Sequence, residues 1–182
     1  AIKYSNFSTG SNFWWAGLNQ SDDYSLAYGT SFSGANTRLL LTETGQLGLG
    51  TASPDGTAHI HTATAGSVTA HADADDLIVE NSGNAGISIL TPASSFGGIF
   101  FGSPDDNIGS SITFQDSSAT MFVGTRLSGG ILKLRSGDGT DALTIDSSQN
   151  ATIAGDLTIT GGDIFSANLG LQTTNGTGTI FL

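Results

Sequence analysis

Residues 42–62 read TETGQLGLGTASPDGTAHIHT, and this stretch decides how the chain folds. Leu47 and Leu49 alternate with glycines, so a strand here has one apolar face and one face without side chains. Such a strand buries little apolar surface within its own chain, but it can lie very close to another backbone. The pattern therefore predicts a protein that is completed by assembly rather than by folding alone.

The composition of the whole chain indicates an ordered, polar, β-rich protein with a thin core. Glycine contributes 26 of 182 residues, about twice its usual share, while charged residues make up only 12%. Cysteine is absent, which excludes disulfides and thiolate metal sites, so oligomerisation is the remaining means of stabilisation. No apolar run approaches the length of a membrane span, and membrane insertion is not expected.

The charge balance of the chain is strongly acidic, with sixteen Asp and Glu against five Lys and Arg. The basic residues form no long cluster, which argues against nucleic-acid binding through counterion release. An acidic surface suits a soluble extracellular protein, and it also provides colloidal solubility. Nucleic acid is therefore not among the expected partners.

Short segments of period-two alternation recur along the chain, separated by Gly, Asn, Asp and Ser. No stretch keeps a helical period over several turns, so the chain is predicted to be all-β. The predicted strands are 24–28, 38–42, 76–80, 86–90, 111–114, 131–135, 142–145 and 156–160.

A faint internal repeat relates residues 39–50 to residues 143–155. Both segments consist of a strand, a polar turn, a second strand and a closing glycine. The repeat predicts two similar modules joined by a narrow connector that is rich in Ala, Thr and His. The predicted division is an N-terminal β-module at 1–50, a connector or intertwined stem at 51–75, a second β-module at 76–155, and a C-terminal β-segment at 156–182 that starts a further module.

Three segments resemble recurring elements of bacteriophage tail fibres. GQLGLGTASP at 45–54, followed by AHIH at 58–61, is similar to their Gly-x-(Val/Leu)-Gly-Ile-Gly-Thr-x-x-Pro…Leu-His-(Val/Ile) element. The stretch at 98–114 is similar to their Ile-x-Phe-Gly-Asp…Gly-x-Ile-x-Tyr pattern, although Pro104 and Asp105 stand where the family has Asp directly after Phe-Gly. NATIAGDLTITGGDI at 150–164 is similar to their Gly-Asp-Leu-Thr-Val-x-Gly segment.

The resemblance implies an elongated, parallel homotrimer whose short-stranded modules form an intertwined β-prism or a β-sandwich-like structure. It implies a structural and receptor-binding segment of a phage tail fibre, located in the virion and mediating attachment to the host cell surface. The implied partners are two further copies of the chain, other virion tail proteins, and a glycan or protein receptor on a bacterium. Such fibres often carry a C-terminal intramolecular chaperone, which is not recognisable in this sequence.

In a parallel trimer, the apolar faces of the strands are expected to meet their symmetry mates and supply the core that one chain lacks. The residues concerned are Leu47 with Leu49, Ile99 with Phe101, and Leu157 with Ile159. No enzymatic activity is expected. A polysaccharide-depolymerising tailspike, with a pair of Asp residues as its catalytic carboxylates, and a cellular surface adhesin are the two alternatives.

His59 and His61 are the candidate metal ligands of the chain. Residues i and i+2 of a strand point to the same side, so both imidazoles are expected to face together. Three copies would bring six nitrogens to the trimer axis, enough for a structural transition-metal ion of octahedral geometry, and some tail-fibre tips use His-x-His pairs in this way. The alternative is that His59 fills the ordinary histidine position of the fibre element and His61 is a solvated strand residue. No other cofactor is expected.

The densest aromatic cluster of the chain lies near its N-terminus. Trp14, Trp15, Tyr24 and Tyr28 are the candidate receptor contacts, because aromatic faces stack on sugar rings and dominate binding hot spots. The alternative is that these side chains pack within the N-terminal module, since aromatic residues also suit a strand-rich interior.

Overall fold

The computed structural model describes residues 1–4, 11–158 and 160. Within this part the chain is all-β, as the alternation predicts, and contains thirteen strands and two single-turn 3₁₀ helices at Gly34–Asn36 and Asp116–Ser118. No helix among the described residues is long and apolar enough to span a membrane. Contacts group the chain into two compact units, Ala1–Ser88 and Ile89–Leu182.

Seven strands form the sheet of the first unit, in chain order from one edge to the other. They are β1 (Ile2–Tyr4), β2 (Phe13–Leu18), β3 (Tyr24–Gly29), β4 (Thr37–Leu41), β5 (Leu47–Leu49), β6 (Ala58–His61) and β7 (Leu77–Glu80). Neighbours from β1 to β5 pair antiparallel, whereas β5, β6 and β7 pair in parallel. The segment 51–75, where the sequence predicts a connector, thus contains β6, which pairs in parallel with β5 on one side and β7 on the other.

The second unit contains two three-stranded antiparallel sheets. One consists of β8 (Gly97–Phe101), β9 (Ser110–Gln115) and β10 (Thr120–Thr125), with β9 in the centre. The other consists of β11 (Leu132–Ser136), β12 (Thr140–Ile145) and β13 (Ala151–Ile153), with β12 in the centre.

Six of the eight predicted strands are confirmed as β3, β4, β7, β9, β11 and β12. The predicted strand at 86–90 is wrong: this segment is irregular, and its apolar side chains are exposed. A strand needs a neighbour for its backbone groups, and no other described segment pairs with this one. The prediction at 156–160 is also wrong for its described residues, 156–158 and 160, while Ile159 lies outside the described part.

The pairing register sorts the first sheet into two faces of opposite character. One face, here called the apolar face, carries only apolar or aromatic residues, and ten of its large side chains are substantially exposed. Its members are Ile2, Tyr4, Trp14, Ala16, Leu18, Tyr24, Leu26, Tyr28, Leu39, Leu41, Leu47, Leu49, Ala58, Ile60, Leu77 and Val79. Leu47 and Leu49 lie together on this face, as their alternation with glycine predicts.

The opposite face, here called the covered face, holds the small core of the unit. Its central row runs across five strands through Ser25, Leu40, Gly48, His59 and Ile78, and the first four of these are buried. The segment after β5 turns back over this row. The core is therefore this row under a loop, together with a few small residues buried beside it, such as Ala27 and Thr37. It is as thin as the composition indicates.

The glycines of β5 let backbone approach the covered face closely. A Cβ at Gly48 would lie 2.7 Å from the carbonyl oxygen of Thr51. Gly50 has a φ of +81°, and a Cβ there would overlap the carbonyl oxygen of His61. The close approach of a second backbone is present, but that backbone belongs to the same chain, so the predicted assembly stays a prediction.

The internal repeat is a repeat of structure as well as of sequence. Leu39 pairs with Leu49 across β4 and β5, and Leu143 pairs with Ile153 across β12 and β13, in the same register. The repeat also extends one strand further toward the N-terminus. The pairing of β3 with β4 shifts register after Leu26, and the pairing of β11 with β12 shifts at the equivalent point. The same three-stranded meander therefore occurs once in each unit.

The turns of the two meanders match in their hydrogen bonds. The amide of Gln46 donates to Thr42 Oγ1 at 2.9 Å, and the amide of Asn150 donates to Asp146 Oδ1 at 2.9 Å. Each turn has a positive φ at its fourth residue, +88° at Gly45 and +67° at Gln149. A polar side chain at the first position, bonded to the backbone four residues on, thus closes both hairpins.

The two sheets of the second unit also have one apolar face each. On β8, β9 and β10 this face carries six exposed side chains, which are Ile99, Phe101, Ile112, Phe114, Met121 and Val123. On β11, β12 and β13 it carries Leu132, Leu134, Leu143, Ile145, Ala151 and Ile153. The apolar pair predicted at 99 and 101 is therefore on one uncovered face, and Leu157 is exposed as well.

Replacing Gly50 with Ala is expected to destabilise the first unit strongly. Both glycines have a left-handed backbone, which strains any residue with a Cβ. A Cβ at position 50 would in addition overlap the His61 carbonyl oxygen, whereas a Cβ at position 45 would have no neighbouring atom within 4 Å. We expect a loss of about 1–2 kcal/mol for Gly45→Ala and roughly 1–3 kcal/mol more for Gly50→Ala. Urea unfolding of both variants measures the difference, and equal losses would contradict the close approach.

Candidate functional site

The two histidines of β6 lie on the same side of the strand, as predicted. Their ring centroids are 5.5 Å apart, and the rings are nearly perpendicular. Both side chains belong to the covered face, where the parallel register of β6 and β7 places Glu80 directly beside His61. The site therefore consists of two imidazoles and one carboxylate on adjacent parallel strands.

Glu80 connects both histidines to the loop that follows them. Its Oε2 atom lies 3.0 Å from His59 Nε2 and 3.8 Å from His61 Nε2. Its Oε1 atom accepts a hydrogen bond of 2.6 Å from the backbone amide of Ala65. One carboxylate thus holds the end of β7, the two rings of β6 and the start of the crossover loop together.

His59 is enclosed by its own chain, with only 2% of its side chain exposed. Its Nδ1 atom accepts a hydrogen bond of 3.3 Å from the backbone amide of Asp55, so a neutral ring carries its proton on Nε2. That nitrogen faces Glu80 at ion-pair distance, but without the alignment of a good hydrogen bond, and no other described residue offers it a polar partner. Glu80 is therefore the group that compensates the burial of this imidazole.

Oxygen and nitrogen atoms of Asp55, His59 and Glu80 lie within 4.8 Å of one another, which is a spacing found around bound metal ions. The hydrogen bonding of His59 does not fit a metal bound through Nε2. Such a ring would carry its proton on Nδ1, facing the amide proton of Asp55. The contacts fit a carboxylate–imidazole pair instead, and the predicted metal at a trimer axis stays a prediction.

The environment of Glu80 favours its charged form. The hydrogen bond from the Ala65 amide lowers the pKa of Glu80 below its ordinary value of 4.5, and the Thr64 hydroxyl and the two histidines act in the same direction. Partial desolvation of the carboxylate opposes them. The charged carboxylate is therefore the form that stabilises the folded site.

The four aromatic residues predicted as receptor contacts are divided between the two faces of the sheet. Trp14, Tyr24 and Tyr28 lie exposed on the apolar face, with the rings of Trp14 and Tyr28 5.2 Å apart. Trp15 lies on the opposite side, where its Nε1 donates to the carbonyl oxygen of Gly29 at 3.1 Å. Trp15 thus packs within the unit, and receptor contact by the four residues stays a prediction.

Sequence reasoning did not single out Glu80 or Asp55. One usable signal was present, because Glu80 is one of only two glutamates in the chain and ends an otherwise apolar strand. Its position beside His61 depends on the parallel pairing of β6 and β7, which are separated by fifteen residues of loop sequence at 62–76. No local pattern specifies such a pairing.

Replacing Glu80 with Gln is expected to remove a pH-dependent part of the stability. A carboxylate whose folded pKa is lowered contributes stability above its unfolded pKa, near 4.5, and loses this contribution as pH falls through the folded value. Wild-type chain should therefore lose stability more steeply than Glu80→Gln below pH 4.5. Urea midpoints measured from about pH 3 to about pH 7 compare the two pH profiles.

The matched control for that comparison is Glu43→Gln, which changes the other glutamate of the chain at an exposed turn position. Its pH profile should follow that of the wild type. Parallel profiles for the wild type and Glu80→Gln would show that the carboxylate does not stabilise the site through its charge.

Comparison with known proteins gives no information on the role of this site, so that role is inferred from its geometry. No family model matches the chain, and no curated protein matches its sequence. The contacts of Glu80 assign the site a structural role in joining β6, β7 and the intervening loop.

Proposed function

We propose that the chain is a structural and receptor-binding segment of a homotrimeric phage tail fibre that mediates attachment to the host cell surface. The observation that carries the proposal is the apolar face present on all three described sheets, which is largely exposed on the first two sheets and partly exposed on the third. The resemblance of residues 45–61 to a tail-fibre element is the reason for proposing that the assembly is a tail fibre.

The apolar faces supply the driving force for assembly. A monomeric protein rarely exposes a contiguous apolar patch of more than a few hundred Å². The burial of one exposed Leu, Ile or Phe side chain is worth about 1.5–3 kcal/mol, and the first sheet alone exposes ten large members of its apolar face. Burial against identical copies satisfies this requirement without any other protein.

The resemblance to tail fibres selects threefold symmetry among the arrangements that would cover these faces. In a parallel trimer, the apolar faces of three chains turn toward a common axis and the covered faces turn outward. His59 and His61 belong to the covered face, so this arrangement does not bring them to the axis and does not include the metal predicted there. This arrangement also leaves the acidic side chains of the covered faces and loops in solvent. The trimer then joins other virion tail proteins and contacts a bacterial surface receptor, with no catalytic step.

The mechanism of attachment is multivalent. Three identical sites on one fibre, and several fibres on one particle, raise the strength of weak individual contacts by about 10²–10⁴. A fibre built from rigid sheets holds the sites at fixed distances, which suits a repetitive glycan surface. Assembly and attachment are therefore coupled.

Replacing Leu41 with Asp is expected to dissociate the assembly. Leu41 is 45% exposed in the single chain, so Asp is tolerated there in a monomer but not in the interior of a trimer. Sedimentation should give three times the chain mass of 18.5 kDa for the wild type and a smaller species for the variant.

Leu90→Asp is the matched control, because Leu90 is 90% exposed and belongs to no described sheet. This variant should sediment like the wild type. A wild-type chain that sediments as a folded monomer, or as a dimer, would overturn the threefold assembly.

Adsorption to bacterial cell envelopes should depend on the same face. We expect purified wild-type chain to adsorb to envelopes from at least one member of a panel of bacteria, and Leu41→Asp to adsorb at least roughly a hundredfold more weakly. Envelope pelleting with labelled protein measures this, with Leu90→Asp as the control. Equal adsorption by assembled and dissociated protein would contradict multivalent attachment.

A further inference from the structure

A polar cleft opens on the covered face of the first unit, between the β2–β3 turn and the segment before β4. Its volume is about 560 Å³. The residues that decide its chemistry are Asn19, Gln20, Ser21, Ser25, Phe32 and Thr37. A cavity of this size accommodates a small organic ligand.

The lining of the cleft combines hydroxyls, amides, one aromatic ring and the aliphatic Leu18, and none of the described residues that line it is charged. Ser25 and Thr37 form part of the lining and are buried, at 2% and 5% exposure. Their hydroxyl oxygens are 3.5 Å apart, and Thr37 Oγ1 reaches the carbonyl oxygen of Ser33 at 3.4 Å. These bonds are long, so both hydroxyls retain capacity for a ligand.

The side chain of Asn19 holds one wall of the cleft in shape. Its Oδ1 accepts hydrogen bonds from the amides of Ser21 at 2.8 Å and Asp23 at 3.1 Å. These bonds close the β2–β3 turn, in which Asp22 has a positive φ of +60°. The exposed Gln20 lies at the tip of this turn, so its amide is presented by a fixed backbone.

The side chain of Asn36 holds the opposite wall. Its Nδ2 donates to the carbonyl oxygen of Ser31 at 3.0 Å and to Ser33 Oγ at 3.2 Å. A Cβ at Gly29 would lie 2.6 Å from this amide group, so the glycine makes room for it. Phe32 is thus carried by a segment tied at both ends, and a cleft with two fixed walls loses little entropy on binding.

We propose that this cleft binds a neutral saccharide, with the Phe32 ring against the C–H face of a sugar and the polar side chains against its hydroxyls. The inference rests on the proposed function and names the chemical class of the receptor as a surface glycan. The net charge of −11 of the chain disfavours acidic sugars. In the proposed trimer this cleft faces outward, whereas Trp14, Tyr24 and Tyr28 are buried.

Saturation-transfer NMR on the full chain tests the proposal directly. The probes are the methyl glycosides of glucose, galactose, mannose and N-acetylglucosamine, with methyl glucuronide as the acidic comparison, each to about 50 mM because single-site sugar binding is weak. We expect at least one neutral glycoside to bind and the glucuronide to bind more weakly. Phe32→Ala should lower the affinity by roughly tenfold through loss of the stacked ring.

Two further variants make the outcome specific. Phe100→Ala removes an exposed ring from the second unit and should leave binding unchanged. Gln20 is exposed in the turn, so Gln20→Ala is expected to fold, and it should lower the affinity by about two- to tenfold. This variant tests the site even if Phe32→Ala does not fold. Binding of no neutral glycoside, binding of the glucuronide alone, or equal losses in Phe32→Ala and Phe100→Ala would each overturn the proposal.

The result is separable from that of the assembly experiment. A wild-type monomer that binds a neutral glycoside through Phe32 would overturn the trimer and leave the saccharide site. A trimer that binds none of the neutral probes would leave the assembly and overturn the site.

Discussion

The fold depends on the alternation of apolar and non-apolar residues along short strands. Within one chain, no other described element covers the apolar face that this alternation creates on the first sheet. A single chain of this kind satisfies its backbone hydrogen bonds by pairing strands, but it buries few large side chains, of which Leu40 and His59 are the largest that are fully enclosed. The hydrophobic gain from such a core is small compared with the conformational entropy of ordering so many residues. The glycines near β5 allow backbone to lie close to the sheet, and the polar turns close its hairpins. Both features suit a thin sheet with one apolar face and one polar face.

Local pattern was sufficient to predict the all-β class and most strand positions. Alternation located β3, β4 and β7, and the polar turn with a glycine or a tolerant residue located both hairpins. It failed at 86–90, where alternation is present but no described segment pairs with it. Period-two pattern reports the ability to form a strand, whereas a partner decides whether the strand forms.

The histidine cluster shows the same limit at the level of a site. The spacing of His59 and His61 was enough to place both rings on one side of a strand. It could not reveal that this side is the covered one, nor that Glu80 arrives from a parallel neighbour fifteen loop residues further on. The contact between His59 and Glu80 is made across strands that are distant in sequence, and such contacts are tertiary information.

The two copies of the meander agree in some structural features and differ in others. Both copies have the bulge, the turn and the apolar face, whereas the residues of their opposite faces differ. Ser25 and Thr37 in the first copy occupy the positions of Lys133 and Asp141 in the second, where Asp141 is paired with both Lys133 and Arg135. One face of the meander therefore has the same apolar pattern in both copies, whereas the opposite face carries different side chains on the same backbone. The meander thus accepts different surface chemistry without a change of fold.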